Sequence, residues 1–277
     1  MAARVVAIIQ ARMASSRLPD KVLLDIAGVP MLRRVWSRTT RAGRVHTVLV
    51  ATTDDESDDQ VAAYCAQHGM TCVRGSQFDV LDRYYKAAQQ ANADILVRIT
   101  ADCPVIDPAL IDDAVETLVA EPEDAAAAFD FVANRLPPPF RRTFPIGLDV
   151  EVCTFAALEQ AWLHGREPQH REHVMPYLYE GVELAAVSPE LSVGRSPRGF
   201  RVAQRNHVPD LGSARWTVDT PQDLEFMRQI YSRTGGREDF SWQDVLALVE
   251  REPELAQINA SVRHKTLNEV DERAAGH

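Results

Sequence analysis

Short buried strands alternate with helical segments between Val5 and Ala120, and this alternation limits the folds open to the chain. Four apolar runs of strand length are predicted as buried strands, at residues 5–9, 47–51, 71–73 and 95–99. The segments between them repeat apolar residues with the period of a helix. Asp107 and Pro108 then suit the N-cap and first position of a helix that reaches about Ala120. The pattern predicts an α/β fold with a mostly parallel sheet and helices on both faces.

The alternation of strand and helix patterns stops after this region. Residues 140–215 are irregular and rich in turn formers, with a strand predicted at 148–152 and a helix at 171–180. We predict that they belong to an insertion over about residues 129–214. Regular structure returns with a last strand at 215–218 and a helix capped by Thr220. We therefore expect one domain over residues 1–235, with a C-terminal helix and polar tail over residues 236–277.

Charge and composition exclude several classes of function. The 277 residues carry a formal net charge of -10, which argues against a nucleic-acid partner, and no apolar run is long enough to predict a membrane span. The N-terminus lacks the pattern of a signal peptide, so a cytoplasmic protein is expected. Four cysteines without a CxxC spacing predict reduced thiols rather than disulfides or a zinc site.

A basic loop, residues 10–21, follows the first predicted strand. In a parallel α/β sheet, ligands bind at the carboxyl ends of the strands, so this loop is a binding candidate. It has neither the Walker pattern nor GxGxxG, so phosphate binding would depend on its side chains. The alternative is a solvated loop whose arginines pair with nearby acids. The side chains in question are Arg12, Ser15, Ser16, Arg17 and Lys21.

Two aspartates are predicted just beyond strand ends at the same edge of the sheet. Asp102 follows the strand at 95–99 and Asp219 follows the strand at 215–218. Mg²⁺ is typically held by one or two carboxylates together with substrate phosphates, so a pair facing a basic loop favours a magnesium site. The alternatives are a turn role for Asp102 before Pro104 and a capping role for Asp219, although Thr220 already suits the cap.

Several segments together resemble the SpsF-like cytidylyltransferases, which are related to 3-deoxy-manno-octulosonate and N-acylneuraminate cytidylyltransferases. The resemblance runs from Val5 to about Tyr231, and it implies a nucleotide-diphospho-sugar transferase fold with an inserted acceptor-side lobe. The segments are "IIQARMASSRLPDKVL", "ATTDDESDD", "VRGSQFDVLDRYYKAA", "VRITADCPVIDP", "GLDVEV", "REHVMPYLY" and "RWTVDTPQDL".

The resemblance implies transfer of CMP from CTP to an anionic acceptor, with release of pyrophosphate. Arg12, Lys21, Asp102 and Asp219 would be catalytic, and the two aspartates would bind Mg²⁺. The family usually has glycine before the lysine, where this chain has Asp20, a residue that tolerates a left-handed backbone. The implied nucleotide-binding residues are Gln10, Ala11, Arg12, Ser15, Ser16, Arg17, Lys21, Arg74, Gly75, Ser76, Asp79, Arg83, Thr100 and Asp102.

Acceptor selection is expected in the inserted region. An exposed helical face is the alternative role for Arg171 and Glu172. His170 and His173 lie three residues apart, but a third ligand and an HExxH pattern are absent, so a metal role is not favoured. The candidate acceptor-binding residues, called the acceptor set below, are Arg141, Arg142, Asp149, Glu151, Arg171, Glu172 and His173.

The acceptor itself stays open between a sugar acid of surface-polysaccharide synthesis and a small phosphonate or other acid. Two other functions also remain: a glycosyltransferase that uses a nucleotide sugar, and a silent nucleotide-binding subunit. The basic stretch from Arg195 to Arg205 is predicted as either a mobile flap or a solvated loop. A homodimer is expected because the C-terminal helix carries an apolar stripe, formed by Val245, Leu246, Leu248 and Val249.

Overall fold

A computed structural model describes residues 3–120 and 128–263 of the chain. Two 3₁₀ turns, Lys21–Leu23 and Glu56–Asp58, follow the ends of two strands. The strands are β1 (Val5–Gln10), β2 (Asp25–Ile26), β3 (Val29–Pro30), β4 (Thr47–Thr53), β5 (Cys72–Gly75), β6 (Ile95–Thr100), β7 (Phe131–Ala133), β8 (Glu151–Thr154), β9 (Ala185–Ser188), β10 (Leu191–Arg195) and β11 (Arg201–Arg205). The helices are α1 (Met31–Thr39), α2 (Asp59–Gln67), α3 (Val80–Gln90), α4 (Pro108–Val119), α5 (Phe155–His164), α6 (Pro168–His173), α7 (Pro176–Tyr179), α8 (Pro221–Arg233), α9 (Trp242–Arg251) and α10 (Glu254–Gln257).

Nine strands form one sheet, in the order β5-β4-β1-β6-β8-β7-β11-β10-β9. The four strands predicted from the N-terminal sequence pair in parallel, which confirms the predicted α/β fold. Gln10 at the end of β1 lies opposite Thr100 at the end of β6. The loops that follow these two strands therefore leave the sheet side by side.

Side chains on both faces of β1 are apolar, and helices cover both faces of the sheet there. Val5, Ala7 and Ile9 belong to one buried cluster with residues of α1, α4 and α8, whereas Val6 and Ile8 belong to a second with residues of α3 and α5. Strands buried on both faces are expected to be continuously apolar, as here. The rigid centre of the sheet thus carries the loop that follows β1.

The inserted region is more regular than predicted, since its strands extend the same sheet. β8 pairs antiparallel with β6 and β7, and the Arg195–Arg205 stretch forms parts of β10 and β11 rather than a flap or loop. The strand predicted at 148–152 is found at Glu151–Thr154. The helix predicted at 171–180 is interrupted at Val174, which has φ 70°. Pro176 cannot donate a hydrogen bond to a continuous helix, and α7 begins with it.

The prediction of a strand at 215–218 was wrong. Arg215 forms only an isolated bridge to Ile146, and Val218 donates to the carbonyl of Asp102. Gly147, at φ 105°, allows this close crossing, because a Cβ there would lie 2.5 Å from the nitrogen of Thr217. Backbone hydrogen bonds still bring the segment beside the loop after β6, so the position expected for Asp219 survives the error.

The predicted C-terminal helix is present as α9, but its apolar side packs inside this chain. Val245 and Leu248 of α9 are buried in the larger core cluster, and Leu246 and Val249 pack against it. This face gives no support to the homodimer, which stays a prediction. The predicted domain boundaries are likewise untested, and residues 264–277 of the tail lie outside the described residues. No helix in residues 3–120 or 128–263 combines the length and apolar character that crossing a membrane requires.

Candidate nucleotide-binding and metal site

The basic loop after β1 is anchored at its beginning and its end. The amide of Met13 donates to the buried carboxylate of Asp58 at 2.7 Å, and the same carboxylate accepts from the amide and hydroxyl of Thr53. At the other end, Asp20 adopts the left-handed conformation with φ 58° and donates its amide to the carbonyl of Met13. Asp20 is exposed, so its charge faces solvent. The loop therefore keeps its shape with aspartate at this position.

Lys21 lies at the centre of the site. Its ammonium nitrogen is 2.8 Å from Oδ2 of Asp102, 2.9 Å from Oδ1 of Asp219 and 3.0 Å from the carbonyl oxygen of Val218. Arg17 contacts the other oxygen of Asp219 at 2.9 Å. The structure thus brings together both predicted metal ligands and two of the three predicted phosphate-binding cations.

The protonation states follow from these contacts. Burial alone would lower the pKa of Lys21, but the charges and hydrogen bonds of Asp102 and Asp219 raise it above its ordinary value. For Asp219, burial opposes ionisation, yet Lys21, Arg17 and Arg215 together hold its pKa well below the usual range. Lys21 is therefore charged and Asp219 ionised at neutral pH.

A second carboxylate, that of Asp223, accepts a hydrogen bond from the backbone amide of Asp219 and shares the guanidinium of Arg215 with it. Arg215 donates through Nε and Nη2 to the two oxygens of Asp223, at 2.9 and 3.0 Å, and through Nη2 to Asp219 at 2.8 Å. The amides of Asp219 and Thr220 each donate to Asp223 at 3.0 Å. Burial opposes the charge of Asp223, but the hydrogen bonds from Arg215 and Asn259 lower its pKa. We call Arg17, Lys21, Asp102, Arg215, Asp219 and Asp223 the Asp219 network.

The implied nucleotide-binding residues between Arg74 and Arg83 lie at the end of β5, in the loop that follows it and at the start of α3. Arg83 is buried, and its Nη1 donates to the carbonyl of Ser76 at 2.6 Å, whereas its Nε and Nη2 have no hydrogen-bond partner in the described protein. Burial lowers the pKa of Arg83, and the charge of Arg12 lowers it further. Arg74 of β5 instead donates to the carbonyls of Thr53 and Asp55, and so links β5 to the end of β4 and the turn after it.

The other predicted nucleotide residues lie around this centre. Gln10 accepts from Arg98 at 3.3 Å, and the amide of Ala11 donates to the carbonyl of Ala51 at 3.1 Å. Asp79 caps α3 by accepting from the amide of Asp82. The remaining positions are at the loop and strand ends described above: Ser15, Ser16, Gly75 and Thr100.

Members of the acceptor set do not converge as the Asp219 network does. Arg142 and Asp149 form a two-bonded pair, and the charge of Asp149 contributes to raising the pKa of the buried Cys103 thiol, after burial and Asp102. The exposed Arg141 pairs with Asp210 at 2.7 Å.

The rest of the acceptor set lies at three other places. Glu151 is buried against Arg98. Arg171 binds Asp79, and so joins the inserted region to the start of α3. Glu172 and His173 are half-buried at the end of α6. Here the alternative of a plain exposed helical face is wrong for Arg171, whose side chain bridges two elements.

The two aspartates fit a divalent cation. Because Oδ2 of Asp102 and Oδ1 of Asp219 both reach one ammonium nitrogen, two carboxylate oxygens converge on one point. Mg²⁺ accepts this number of carboxylates when phosphates and waters complete its shell. Within the described ranges, no group of three or more His, Cys, Asp or Glu side chains is placed to hold a metal ion, including at His170, which instead pairs with Glu180.

Sequence reasoning missed three residues that shape this site. Asp58 was not among the predicted site residues, yet it holds the basic loop through the amide of Met13. Arg215 was treated as part of a strand, although its position four residues before Asp219 was a usable signal. Asn259 received no role, and it donates to Asp223. All four cysteines, as predicted, are free thiols.

Comparison with known proteins agrees with this geometry. The family model for cytidylyltransferases matches residues 6–234. The chain is 41% identical over 250 residues to the 3-deoxy-manno-octulosonate cytidylyltransferase of Rhodospirillum rubrum, covering 83% of this chain and 96% of the relative. It is 29% identical to the spore coat polysaccharide biosynthesis protein SpsF of Bacillus subtilis, over 90% of this chain and 95% of that protein. A solved cytidylyltransferase from Leptospira borgpetersenii superposes with a TM-score of 0.80 at 30% identity, covering 95% of this chain and all of that one. The chain therefore belongs to the cytidylyltransferase family.

Proposed function

We propose that the protein transfers CMP from CTP to a sugar acid and releases pyrophosphate. The observation that carries the proposal is the convergence of Lys21 and Arg17 on Asp102 and Asp219 at the carboxyl ends of β1 and β6. Cations there suit a triphosphate, and a carboxylate pair suits the divalent metal that accompanies it. A cytoplasmic location and a homodimer remain predictions that accompany this proposal.

Lys21 and Arg17 hold the site ready for the nucleotide. In the free protein they neutralise Asp102 and Asp219, which holds the two half-buried carboxylates in position. Both cations end on flexible stems, so they can turn from the carboxylates to phosphate oxygens when a triphosphate enters the loop. The carboxylates released by that movement are the ones that would hold Mg²⁺. Bound there, the ion would supply charge neutralisation at the α-phosphate and acidify a coordinated hydroxyl.

The chemical step needs no covalent intermediate with the protein. An acceptor oxygen forms a bond to the α-phosphorus while the bond from that phosphorus to the bridging oxygen breaks, and pyrophosphate departs with the electron pair. Arg12, Arg17 and Lys21 stabilise the charge that grows on the leaving group. The proton of the acceptor hydroxyl passes to solvent water. The buried guanidinium of Arg83 is available for the base, since two of its nitrogens have no partner among the described residues.

The acceptor class rests on the relatives. The Rhodospirillum rubrum relative is a cytidylyltransferase for 3-deoxy-manno-octulosonate, and the Bacillus subtilis relative acts in spore coat polysaccharide biosynthesis. The charge of Asp149 acts on the thiol of Cys103, whose sulfur is 3.6 Å from Oδ1 of Asp102. Arg142 and Asp149 offer a cation for the acid group and an anion for hydroxyls. We therefore propose a sugar acid as acceptor, and the experiment includes phosphonates as the competing class.

Pyrophosphate release tests the proposal. The purified protein is incubated with Mg²⁺ and each of the four nucleoside triphosphates, against a panel of sugar acids and phosphonates. We expect release with CTP and a sugar acid only. Asp102→Asn and Asp219→Asn, which keep the side-chain shape and remove the charge, should each lower kcat/KM by at least about a hundredfold. Glu116→Gln, on the exposed outer side of α4, is the matched control.

Other outcomes separate the possible failures. Release with a phosphonate alone would replace the acceptor class while keeping the transferase. No release with any acceptor, together with no shift of the melting temperature by CTP, would overturn the proposal.

A further inference from the structure

The segment after α10 reaches back to the active site through one buried asparagine. Asn259 is 4% exposed, and it lies beyond residues 6–234, which the family model matches. Its Nδ2 donates to Oδ1 of Asp223 at 2.9 Å and to the carbonyl oxygen of Arg215 at 3.0 Å. Both partners belong to the Asp219 network. One side-chain amide thus joins the C-terminal segment to two members of that network.

Asp223 has an unusual number of donors. Besides Asn259, it accepts two hydrogen bonds from Arg215, two from the amides of Asp219 and Thr220, and one from the hydroxyl of Thr220. Its side chain is fully buried. A buried carboxylate is stable only when its oxygens are well satisfied, so each donor helps to fix its orientation. The orientation of Asp223 in turn fixes the backbone of Asp219.

We propose that Asn259 is a positioning residue for Asp219, so that the C-terminal segment is a working part of the active site. Asn259 does not reach substrate. It fixes Asp223, which accepts from the backbone amide of Asp219, and it fixes Arg215, which donates to the Asp219 carboxylate that faces Lys21. A second contact also joins the C-terminal segment to the Asp219 network, because Nη1 of Arg17 lies 3.4 Å from the carbonyl oxygen of Arg263.

This inference rests on the proposed function only for its activity measurement. Asn259→Ala in the full chain is compared with Asn206→Ala, which removes a side-chain amide that donates to Ser192 at the open end of the β10–β11 hairpin. Because a lost hydrogen bond to a charged group is a substantial loss, we expect kcat/KM to fall about tenfold in Asn259→Ala at low Mg²⁺. Excess Mg²⁺ should restore much of the loss, since a misdirected ligand weakens metal binding. A merely structural role would lower activity by one factor at every Mg²⁺ concentration.

A second measurement does not need turnover. Hydrogen exchange of the free protein should be faster at the amides of Asp219 and Thr220 in Asn259→Ala than in the unaltered chain, and unchanged there in Asn206→Ala. Faster exchange at these amides supports the positioning role even when no acceptor has been found. Asn259→Ser, with the same expectations, replaces Asn259→Ala in both measurements if that variant is recovered unfolded.

Two results would overturn the inference. The first is unchanged exchange at both amides. The second is an active protein in which Asn259→Ala and Asn206→Ala respond alike to Mg²⁺; in that case the proposed function stands and the role of Asn259 falls.

Discussion

The Asp219 network and the exposed Arg141 of the acceptor set differ in how their charges are held. In the network, Lys21 and Asp219 have side chains only 12% and 18% exposed, and each contacts two or more opposite charges. In the acceptor set, Arg141 is 75% exposed and has one carboxylate partner, Asp210. Buried, multiply bonded charges are costly to disturb, whereas exposed pairs contribute little. The charges of the Asp219 network are thus held more firmly than that of Arg141, whereas Glu151 of the acceptor set, 7% exposed against Arg98, resembles the network.

The largest expected effect is that of Lys21→Met. The variant loses a cation for the phosphates and leaves Asp102 and Asp219 without the ammonium that they share, so kcat/KM for CTP should fall about 10²- to 10³-fold. Pyrophosphate release measures the loss, and Lys86→Met, which removes an exposed lysine of α3, is the control. A loss of less than about fivefold, small on the scale of a removed transition-state contact, would mean that Arg12 and Arg17 carry the phosphates without Lys21.

Sequence patterns located Lys21 and Asp102 because both lie in loops that follow strands apolar on both faces, β1 and β6, and such strands are easily located. They did not find Asp58 or Asn259. Asp58 lies 45 residues from Met13, and Asn259 lies 36 residues from Asp223, so no local period links either pair. The crossing at 215–218 was mistaken for a strand because its apolar residues resemble one. Its backbone hydrogen bonds go to the loops that contain Ile146 and Asp102. These contacts form only in the folded chain, so no local pattern in the sequence indicates them.

Arg215→Met tests whether the network also stabilises the fold. The variant leaves the buried Asp223 without its cation, so the free energy of unfolding at pH 7 should fall by about 3 kcal/mol. Asp219 and Asp223 have pKa values below the ordinary 3.8, so their stabilisation is present above that pH and is lost as pH falls through the folded-state values. The difference between variant and unaltered protein should therefore shrink below about pH 4.

Urea unfolding at pH 7 and at pH 3 measures this difference. Arg233→Met removes an ion pair with Glu252 at the surface between α8 and α9, and should cost less than about 1 kcal/mol at pH 7. If Arg215→Met cost no more than this control, the contrast between a buried network and exposed pairs would lose its energetic basis.

The smallest effect is expected on the acceptor side, for Arg142→Met. Arg142 makes two hydrogen bonds with Asp149, whose side chain is 27% exposed, so the variant frees one half-exposed carboxylate and removes one cation offered to the acceptor. Water can solvate that carboxylate, and such pairs are worth about 1 kcal/mol or less, so the KM for the sugar acid should rise about fivefold. The KM for CTP should not change, because the Asp219 network does not depend on Arg142. Steady-state kinetics with each substrate varied in turn measures both constants, with Arg44→Met as the exposed control. A rise in the KM for CTP instead would mean that the two regions act as one site, and acceptor choice could not then vary independently of nucleotide binding.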